Sequence, residues 1–276
     1  PDTTAAIQTP SYPANIGASL LKGMQIVFLP CLEENDFEPK LPEVPVDIIY
    51  LCSPNNPTGK AFTKKTLQKW VNYALKHKSI ILFDGAYEGY ISSNTPKSIY
   101  EIDQAKKVAI ELRSFSKKGG FTNLRCAYHV IPKECLVKGA SLHTLWKKRT
   151  NIKFGGVPYP IQKGAEALYS PKGQKELSLQ LQEYQSQKNF LKNQLSNMGL
   201  NVYGGKDAPY VWCKTPKNLS SWEFFNLLLE KAQVICIPGE GFGSSGEGFV
   251  RFSTFPSLDI LKKAVHQMEA SIFCAT

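Results

Sequence analysis

The chain has 276 residues, 42% of them hydrophobic and 20% charged, which is an ordinary composition for one large globular domain or two moderate ones. No apolar run of about 18 residues is present, so the sequence predicts no membrane span, and the first residues, PDTTAAIQTP, have no signal-peptide pattern. The net charge of +10 admits a nucleic-acid partner, but the lysines are spread along predicted helices and no nucleic-acid-binding motif accompanies them. Solvated helix faces explain this charge, with a general attraction for acidic substrates as a consequence.

The cysteines are scattered and show no C-x-x-C pair, so the sequence predicts no zinc site. The four histidines likewise lack ligand spacing, and no metal is expected. An odd number of unpaired cysteines is typical of reduced thiols, which favours a cytoplasmic protein. The seven positions are Cys31, Cys52, Cys126, Cys135, Cys213, Cys236 and Cys274.

The first half of the chain alternates predicted strands with helical or turn segments. Residues 1–23 are rich in turn formers and end in a short helix candidate, and residues 30–47, rich in proline, predict a surface loop. Thr63 is placed to cap a helix with one apolar face, made by Leu67, Trp70, Val71, Ala74 and Leu75. Strands are predicted at 25–29, 48–52, 79–83 and 107–112, and strand–helix–strand alternation through residue 131 predicts a mostly parallel sheet flanked by helices.

The second half predicts a long helical stretch followed by a smaller α+β unit. Residues 133–157 are irregularly amphipathic, and helix is predicted over 161–198 with a break at Ser170-Pro171-Lys172-Gly173. Strands are predicted at 201–203, 210–214, 234–237 and 249–253, alternating with helices near 222–231 and 258–272. The last helix carries a stripe that indicates a core face, formed by Leu261, Ala264, Val265, Met268 and Ile272. We predict a large domain over 1–158 and a connecting helix with a small domain over 159–276.

The loop after the strand at 107–112 carries two hydroxyls, a lysine and a distant arginine: Ser114, Ser116, Lys117 and Arg125. A lysine in such a place can act as a covalent amine, and hydroxyls with a guanidinium can hold a phosphate. A basic surface loop explains the same residues taken alone.

Two upstream strands end in polar residues in the same way. Asn56 follows the strand at 48–52, and Asp84 and Tyr87 follow the strand at 79–83. An isolated Asp there would more often cap a helix or form a turn. Ligands of open α/β sheets bind at the carboxyl ends of the strands, so polar residues after successive strands favour a ligand site.

Five motifs resemble the fold-type I pyridoxal-phosphate aminotransferases, over nearly the whole chain. They are S-P-N-N-P-T-G at 53–59, D-G-A-Y at 84–87, S-F-S-K-K-G-G-F-T-N-L-R at 114–125, A-P-Y-V-W at 208–212 and P-G-E-G-F-G-S-S-G-E-G-F-V-R-F-S at 238–253. The last two are similar to the LL-diaminopimelate branch of that family. The resemblance implies a fold-type I α/β large domain, a smaller α+β domain and pyridoxal 5′-phosphate as cofactor.

By resemblance, each site residue has an expected role. Lys117 would form the internal Schiff base and shuttle a proton, and Asp84 would pair with the pyridinium nitrogen. Asn56 and Tyr87 would hydrogen-bond the ring 3-oxygen. The phosphate would be bound by Ser114, Ser116 and Arg125. Arg251, assisted by Asn56, would bind the substrate α-carboxylate, for which a planar two-pronged donor is better than lysine.

The resemblance also has gaps and departures. Family members are longer, and the resemblance implies that an N-terminal arm, a phosphate loop, the ring-stacking aromatic residue and contacts to a partner subunit belong before Pro1. Gly85 stands for the usual Ala or Glu, Gly155 stands where an Asn is usual, and Lys118 alters the flank of the lysine loop.

Three functions remain in competition at this point. The first is an aminotransferase that moves an amino group between LL-diaminopimelate and 2-oxoglutarate by a ping-pong cycle, for lysine and cell-wall precursor synthesis; another amino-acid aminotransferase of the same fold is its main rival. The second is a cofactor-binding remnant with poor catalysis. The third is a basic nucleic-acid-binding protein. The resemblance implies a homodimer for the first.

Overall fold

Two separate sheets organise the chain in the computed structural model, which describes residues 3–92, 94–216 and 219–273. The larger sheet has six strands in the spatial order β2-β1-β3-β4-β5-β6. All neighbouring strands in it are parallel except the antiparallel pair β5 and β6, so the prediction of a mostly parallel sheet is confirmed. Its strands are β1 (Thr4–Thr9), β2 (Gln25–Pro30), β3 (Ile48–Cys52), β4 (Ile80–Asp84), β5 (Ala109–Ser114) and β6 (Ala127–Val130).

Helix α2 (Lys64–His77) covers this sheet with the apolar face that the sequence predicts. Thr63 begins it as expected, because the Thr63 hydroxyl accepts a hydrogen bond from the Thr66 N–H at 3.1 Å. Leu67, Trp70, Val71 and Ala74 are buried in one cluster with the strand residues of β3 and β4. Leu75 is 37% exposed, so it lies at the margin of that face.

Two predictions for the first half are corrected by the structure. Thr4–Thr9 is a strand inside the sheet, between β2 and β3, and is not part of a turn-rich segment. Five of its residues in a row are buried, so its sequence shows no polar–apolar alternation that would predict a strand. Between β4 and β5, the residues that the structure describes form short 3-10 turns, at Glu88–Tyr90, Ile99–Glu101 and Ala105–Lys107. The expected helical alternation therefore does not continue there. Besides α2, the helices of this half are α1 (Pro13–Leu21) and the single turn α3 (Phe115–Lys118).

The second half begins with a two-residue hairpin and a series of helices. These elements are β7 (Leu136–Val137), β8 (Ala140–Ser141), α4 (Leu142–Lys153), α5 (Tyr159–Ala167) and α6 (Pro171–Asn197). The predicted break between α5 and α6 is confirmed, and the Ser170 hydroxyl starts α6 by accepting the Gly173 N–H at 3.0 Å.

A four-stranded sheet in the order β11-β12-β10-β9 follows, and its neighbouring strands are antiparallel. It packs with helices α6, α7 and α8 around a second buried cluster. Leu261, Val265 and Met268 lie in that cluster with Ala264 and Ile272 beside them, so the core role of the last stripe is confirmed. The elements are β9 (Val202–Gly204), β10 (Tyr210–Lys214), α7 (Ser221–Ala232), β11 (Ile237–Pro238), β12 (Phe249–Ser253) and α8 (Leu258–Met268), which runs into a π turn at Glu269–Phe273.

Strand β11 covers Ile237–Pro238, so it is shorter than the predicted 234–237 and starts at its last residue. Before it, Val234 is buried in the cluster of the small sheet and Ile235 is exposed. The described cysteines carry free thiols, as expected, and Cys274 lies outside the described residues. Among the helices that the structure describes, none combines the length and the apolar content that a bilayer crossing needs.

Replacing Ile81 by alanine tests the core beneath the site. Ile81 lies on β4 and is fully buried, so its replacement leaves a cavity and should lower the free energy of unfolding by about 2–5 kcal/mol. The matched change Ile235→Ala removes the same atoms from a side chain that is 73% exposed, and it should alter that free energy by less than about 0.5 kcal/mol. Urea unfolding of both variants measures the difference; equal losses would contradict the assigned core.

Candidate active site

The strands β3, β4 and β5 run parallel, so the predicted site residues that follow them lie at one edge of the large sheet. Cys52 of β3 is aligned with Asp84 of β4, and Asp84 is aligned with Leu112 of β5. The loops that follow these strands carry Asn56, Tyr87 and Lys117, so the three loops leave the sheet side by side. Carboxyl ends of parallel strands share an edge, and this edge is the ligand-binding place in open α/β sheets.

Asp84 ends β4, and its Oδ1 accepts a hydrogen bond from the Ala86 N–H at 2.9 Å. Burial raises the pKa of the carboxyl, while the Ala86 N–H, the Cys52 thiol and the charge of Arg113 act in the opposite direction. The desolvation of this carboxylate is therefore not fully offset within the protein. A cationic group that binds next to Asp84 would stabilise its ionised form.

Tyr87 and Tyr210 connect the two sheets at the site. One hydroxyl donates to the other at 3.0 Å, and the rings meet edge to face with centroids 5.4 Å apart. Burial, followed by the neighbouring Tyr210, raises the pKa of Tyr87 well above its ordinary value. Tyr87 is therefore a neutral phenol that can donate a hydrogen bond to a ligand.

Arg251 is a partly buried cation on β12, at the face of the small sheet that meets the Asn56 loop. Its Nη1 donates to Asn56 Oδ1 at 2.6 Å, and its guanidinium lies 4.0 Å from the Tyr210 ring centroid and 4.9 Å from that of Phe242. Burial lowers the pKa of Arg251. Within the described ranges Arg251 forms no ion pair, and its buried Nε has no hydrogen-bond partner. A carboxylate ligand would satisfy both the charge and the free N–H.

Lys117 lies in the single helical turn α3, which follows β5 directly. The Ser114 hydroxyl begins the turn by accepting the Ser116 N–H at 3.1 Å, and the Tyr90 hydroxyl donates to the Lys117 carbonyl at 3.0 Å. The Lys117 Nζ lies 5.7 Å from the ring centroid of Phe255. No carboxylate of the described chain pairs with Lys117. The Lys117 backbone is held by Tyr90, and its Nζ lies beside an aromatic ring and not beside a counter-ion.

Ser114 ends β5, Ser116 lies in α3 and Arg125 lies in the loop that follows α3, and Arg125 is joined to Ser116 only indirectly. Arg125 is exposed, and its Nη1 donates to the Thr122 carbonyl at 2.6 Å, while the Thr122 hydroxyl donates to the Ser116 carbonyl at 2.9 Å. The φ of Arg125 is 55°, a left-handed conformation that is uncommon for this residue type and is often found at binding sites. Thr122 therefore links Arg125 to the backbone of Ser116, and the Ser116 N–H in turn contacts the Ser114 hydroxyl.

The motifs did not assign roles to four aromatic residues that lie around these groups. Tyr210 and Phe242 sandwich Arg251, and Phe255 lies beside Lys117. Tyr12 directly precedes α1 on the same edge, is 52% exposed, and its phenol interacts electrostatically with Arg251. Sequence periodicity could not find them, because each lies at the end of a strand or in a loop. For Tyr210, its place in the A-P-Y-V-W motif was the available signal.

With this geometry in place, comparison with known proteins identifies the class. The family described as "Aminotransferase class I and II" matches residues 1–266, and the chain belongs to that family. It is an aminotransferase by family, and enzymes of this family generally depend on pyridoxal phosphate.

The particular relatives are LL-diaminopimelate aminotransferases, and the resemblance seen in the motifs is confirmed. The chain is 49% identical over 274 residues to the one from Azobacteroides pseudotrichonymphae genomovar. CFP2, covering 97% of this chain and 68% of the relative. It is 47% identical over 288 residues to the one from Lawsonia intracellularis, covering 99% of this chain and 70% of the relative.

Solved structures agree with these sequence relatives. L,L-diaminopimelate aminotransferase from Chlamydomonas reinhardtii superposes with a TM-score of 0.93 at 39% identity, over 96% of this chain and 68% of that one. The aromatic aminotransferase from Pyrococcus horikoshii has a TM-score of 0.87 at 27% identity, over 98% of this chain and 73% of that one. The fold-class prediction of a fold-type I α/β transferase is therefore confirmed.

The raised pKa of Asp84 predicts a pH dependence of the protein without cofactor. A carboxyl whose folded pKa lies above its unfolded value of about 3.9 contributes stability below that pH and loses it as the pH rises through the folded pKa. Asp84→Asn should remove this loss, so the variant should have the higher free energy of unfolding at pH 7. Urea unfolding from pH 4 to 7 measures it, with the exposed Asp103→Asn as the control. A fall of stability with pH that is the same in both variants would contradict the assignment.

Proposed function

We propose that this chain transfers the amino group of LL-diaminopimelate to 2-oxoglutarate, with pyridoxal 5′-phosphate as its cofactor. The reaction would serve lysine and peptidoglycan precursor synthesis. Support comes from the named relatives, which are at least 47% identical to this chain in the two cases above, and from the residues that meet at the sheet edge.

The observation that carries the proposal is the state of Arg251. A buried guanidinium without a carboxylate partner is costly, and binding of an anion reduces that cost. Asn56 holds one nitrogen of Arg251 at 2.6 Å, which leaves the other N–H groups for the two oxygens of a substrate α-carboxylate. Every amino acid and 2-oxo acid carries such a carboxylate, so one arginine serves both halves of the reaction.

The remaining residues fit pyridoxal phosphate by the chemistry of their donors. Asp84 would face the ring nitrogen, whose positive charge supplies the cationic partner that the buried carboxyl lacks. Tyr87, as a neutral phenol, and Asn56 would donate to the ring 3-oxygen. Ser114, Ser116 and Arg125 would bind the phosphate. When bound, the cofactor supplies a sink for the electrons of the substrate α-carbon.

Lys117 performs the proton chemistry in this proposal. Its Nζ would hold the cofactor covalently in the resting protein. Once substrate has displaced it, the free amine would accept the proton from the substrate α-carbon and deliver it to the cofactor C4′. The Tyr90 hydroxyl on the Lys117 carbonyl and the Phe255 ring beside Nζ restrict where that amine can go.

A different amino-acid substrate is the second candidate, because Arg251 recognises any α-carboxylate. The structural similarity to an aromatic aminotransferase at 27% identity favours keeping this alternative. Gly155, which stands where an Asn is usual in the family, and the adjacent Gly156 offer no side chain to a distal amino group. Measuring half-reaction rates with LL-diaminopimelate, glutamate and phenylalanine under one set of conditions separates the two. A faster reaction with phenylalanine than with LL-diaminopimelate would reject the first candidate.

We also propose that the protein is a cytoplasmic homodimer with a large domain over 1–158 and a smaller one over 159–276. Free thiols at the described cysteines are typical of a reducing compartment. Two buried clusters, one on each sheet, support the two-domain division. The dimer rests on the family, and sedimentation with and without cofactor would measure it.

Lys117→Ala and Arg251→Lys test the two central assignments. Lys117→Ala should abolish cofactor labelling after borohydride reduction and lower the turnover by about 10⁴-fold or more, because the proton carrier is lost. Arg251→Lys should lower kcat/KM by about a hundredfold, because a point charge replaces a two-pronged donor. Rapid-mixing kinetics of the amino-donor half-reaction and peptide mapping of the reduced protein provide the measurements.

The matched controls are Lys172→Ala and Arg149→Lys, which change exposed residues of α6 and α4. Both should retain the wild-type rate and the label on Lys117. Label on scattered surface lysines of the wild-type protein, with no dependence on Lys117, would reject the proposed cofactor chemistry.

A further inference from the structure

Four charged side chains of low exposure form a connected group below the Lys117 turn. Arg113 Nε lies 2.8 Å from Glu111 Oε1, Arg113 Nη1 lies 3.5 Å from Glu88 Oε1, and Lys118 Nζ lies 2.5 Å from the same Glu88 oxygen. Their side chains are only 5–16% exposed, and the two cations balance the two anions. We call Glu88, Glu111, Arg113 and Lys118 the ion cluster. None of its members has a role in the proposed chemistry.

Three members of the ion cluster are chain neighbours of proposed site residues. Glu88 follows Tyr87, Lys118 follows Lys117, and Arg113 precedes Ser114. The cluster thereby joins the loop after β4 to the turn after β5, in addition to the hydrogen bond from the Tyr90 hydroxyl to the Lys117 carbonyl. Each of these three residues is one peptide unit away from a proposed site residue, so fixing their side chains limits how far the backbone of the site residue can move.

Glu111 anchors the ion cluster to the body of the protein. Its Oε2 accepts hydrogen bonds from the Ser98 hydroxyl at 2.7 Å and from the Ile99 N–H at 2.9 Å. Arg113 adds a bond from Nη2 to the Lys97 carbonyl at 2.6 Å. A buried charged pair is stable only when its remaining donors and acceptors are satisfied, and these contacts satisfy them.

Two glycines leave the space that the ion cluster occupies. A Cβ at Gly85 would lie 3.3 Å from Arg113 Cζ, and a Cβ at Gly89 would lie 2.9 Å from Lys118 Cβ. The second distance is too short for real carbon atoms, so a larger residue at Gly89 would push the Lys118 turn away. Gly85 and Lys118 both depart from the usual family residues, and the structure places each in this one contact region.

The two consecutive lysines have different surroundings. Lys117 Nζ lies beside Phe255, which packs with Tyr210 in the site, whereas Lys118 Nζ is paired with Glu88 and lies 5.6 Å from the Tyr169 ring. Burying the ammonium of Lys118 against Glu88 keeps the turn in the orientation that leaves Lys117 in the site. Rotating the turn would separate Lys118 from its counter-ion, which is strongly unfavourable at low exposure.

We propose that Glu88, Arg113 and Lys118 are positioning residues that hold the Lys117 turn against the Asp84–Tyr87 loop, so that Lys117 and not Lys118 faces the cofactor. This role rests on the proposed function for its chemical consequence. Its structural part, an ordered turn, belongs to the protein without cofactor as well.

The test compares Glu88→Gln, Lys118→Met, Lys118→Arg and Gly89→Ala with two controls in the full chain. Lys118→Met keeps the side-chain stem and removes only the charge, and Lys118→Arg restores it. Lys163→Met removes one charge of the exposed pair with Glu166, and Gly17→Ala adds a Cβ where nothing lies within 4 Å. Two quantities are measured: amide hydrogen exchange of residues 115–119 without cofactor, and the site and yield of borohydride-trapped pyridoxal phosphate.

Three of the variants should loosen the turn: Glu88→Gln, Lys118→Met and Gly89→Ala. Each should speed amide hydrogen exchange of residues 115–119. Each should also lower the yield of pyridoxal phosphate trapped on Lys117 by about tenfold or more, because small misplacements of a reacting group have large effects on rate. In the same three variants the pH midpoint of the bound cofactor's visible absorbance should shift. All of these quantities should stay near their wild-type values in Lys118→Arg, Lys163→Met and Gly17→Ala. Unchanged exchange and yield in both Glu88→Gln and Lys118→Met would overturn the proposal. A wild-type chain without label at Lys117 would reject the proposed function instead, and the exchange comparison alone would then decide the positioning role.

Discussion

The hydrogen bond between Arg251 and Asn56 is the contact on which the site depends, because it joins the two sheets at the point where a substrate would bind. Arg251 comes from an antiparallel strand of the small sheet, and Asn56 comes from a loop that leaves the large parallel sheet. The Tyr87–Tyr210 contact makes a second connection of the same kind. A relative movement of the sheets would therefore alter the carboxylate site and the cofactor site together.

The charges proposed to bind ligand differ from those of the ion cluster in whether an opposite charge inside the protein balances them. Asp84 has a raised pKa and Arg251 a lowered one, both chiefly through burial, so each would gain from an opposite charge on a ligand. The ion cluster of Glu88, Glu111, Arg113 and Lys118 is balanced within the protein, with each member in contact with an opposite charge. In the proposed function the unbalanced groups would face the ligand, and the balanced groups would hold the loops that carry the site residues. This division is the arrangement expected where charged residues are retained for a site and not for stability alone.

Helices with a clear apolar periodicity and strands with clear turn residues at their ends were predictable from the sequence. Elements whose structure depends on contacts with distant residues were not. Helix α2 and the last stripe on α8 follow from apolar spacing, and β3, β10 and β12 agree with the predicted bounds residue for residue. Strand β1 was missed because a strand in the middle of a parallel sheet is buried on both faces and shows no alternation. The segment between β4 and β5 was expected to be helical, but its short 3-10 turns depend on contacts such as the Ser98 and Ile99 bonds to Glu111.

The sequence by itself determined the family and the order of the chemical groups along the chain, because strand–loop motifs such as 53–59, 84–87 and 114–125 combine rare residue types at fixed spacing. It also predicted that Asp84 and Lys117 come after strands and that Arg251 lies within one. Tertiary structure alone decided which of these charges lack partners, since burial and counter-ions depend on residues far apart in the chain. It likewise decided that Lys118 is paired with Glu88 whereas Lys117 has no counter-ion in the described chain. Adjacent lysines are equivalent in a sequence, and only packing gives them different surroundings.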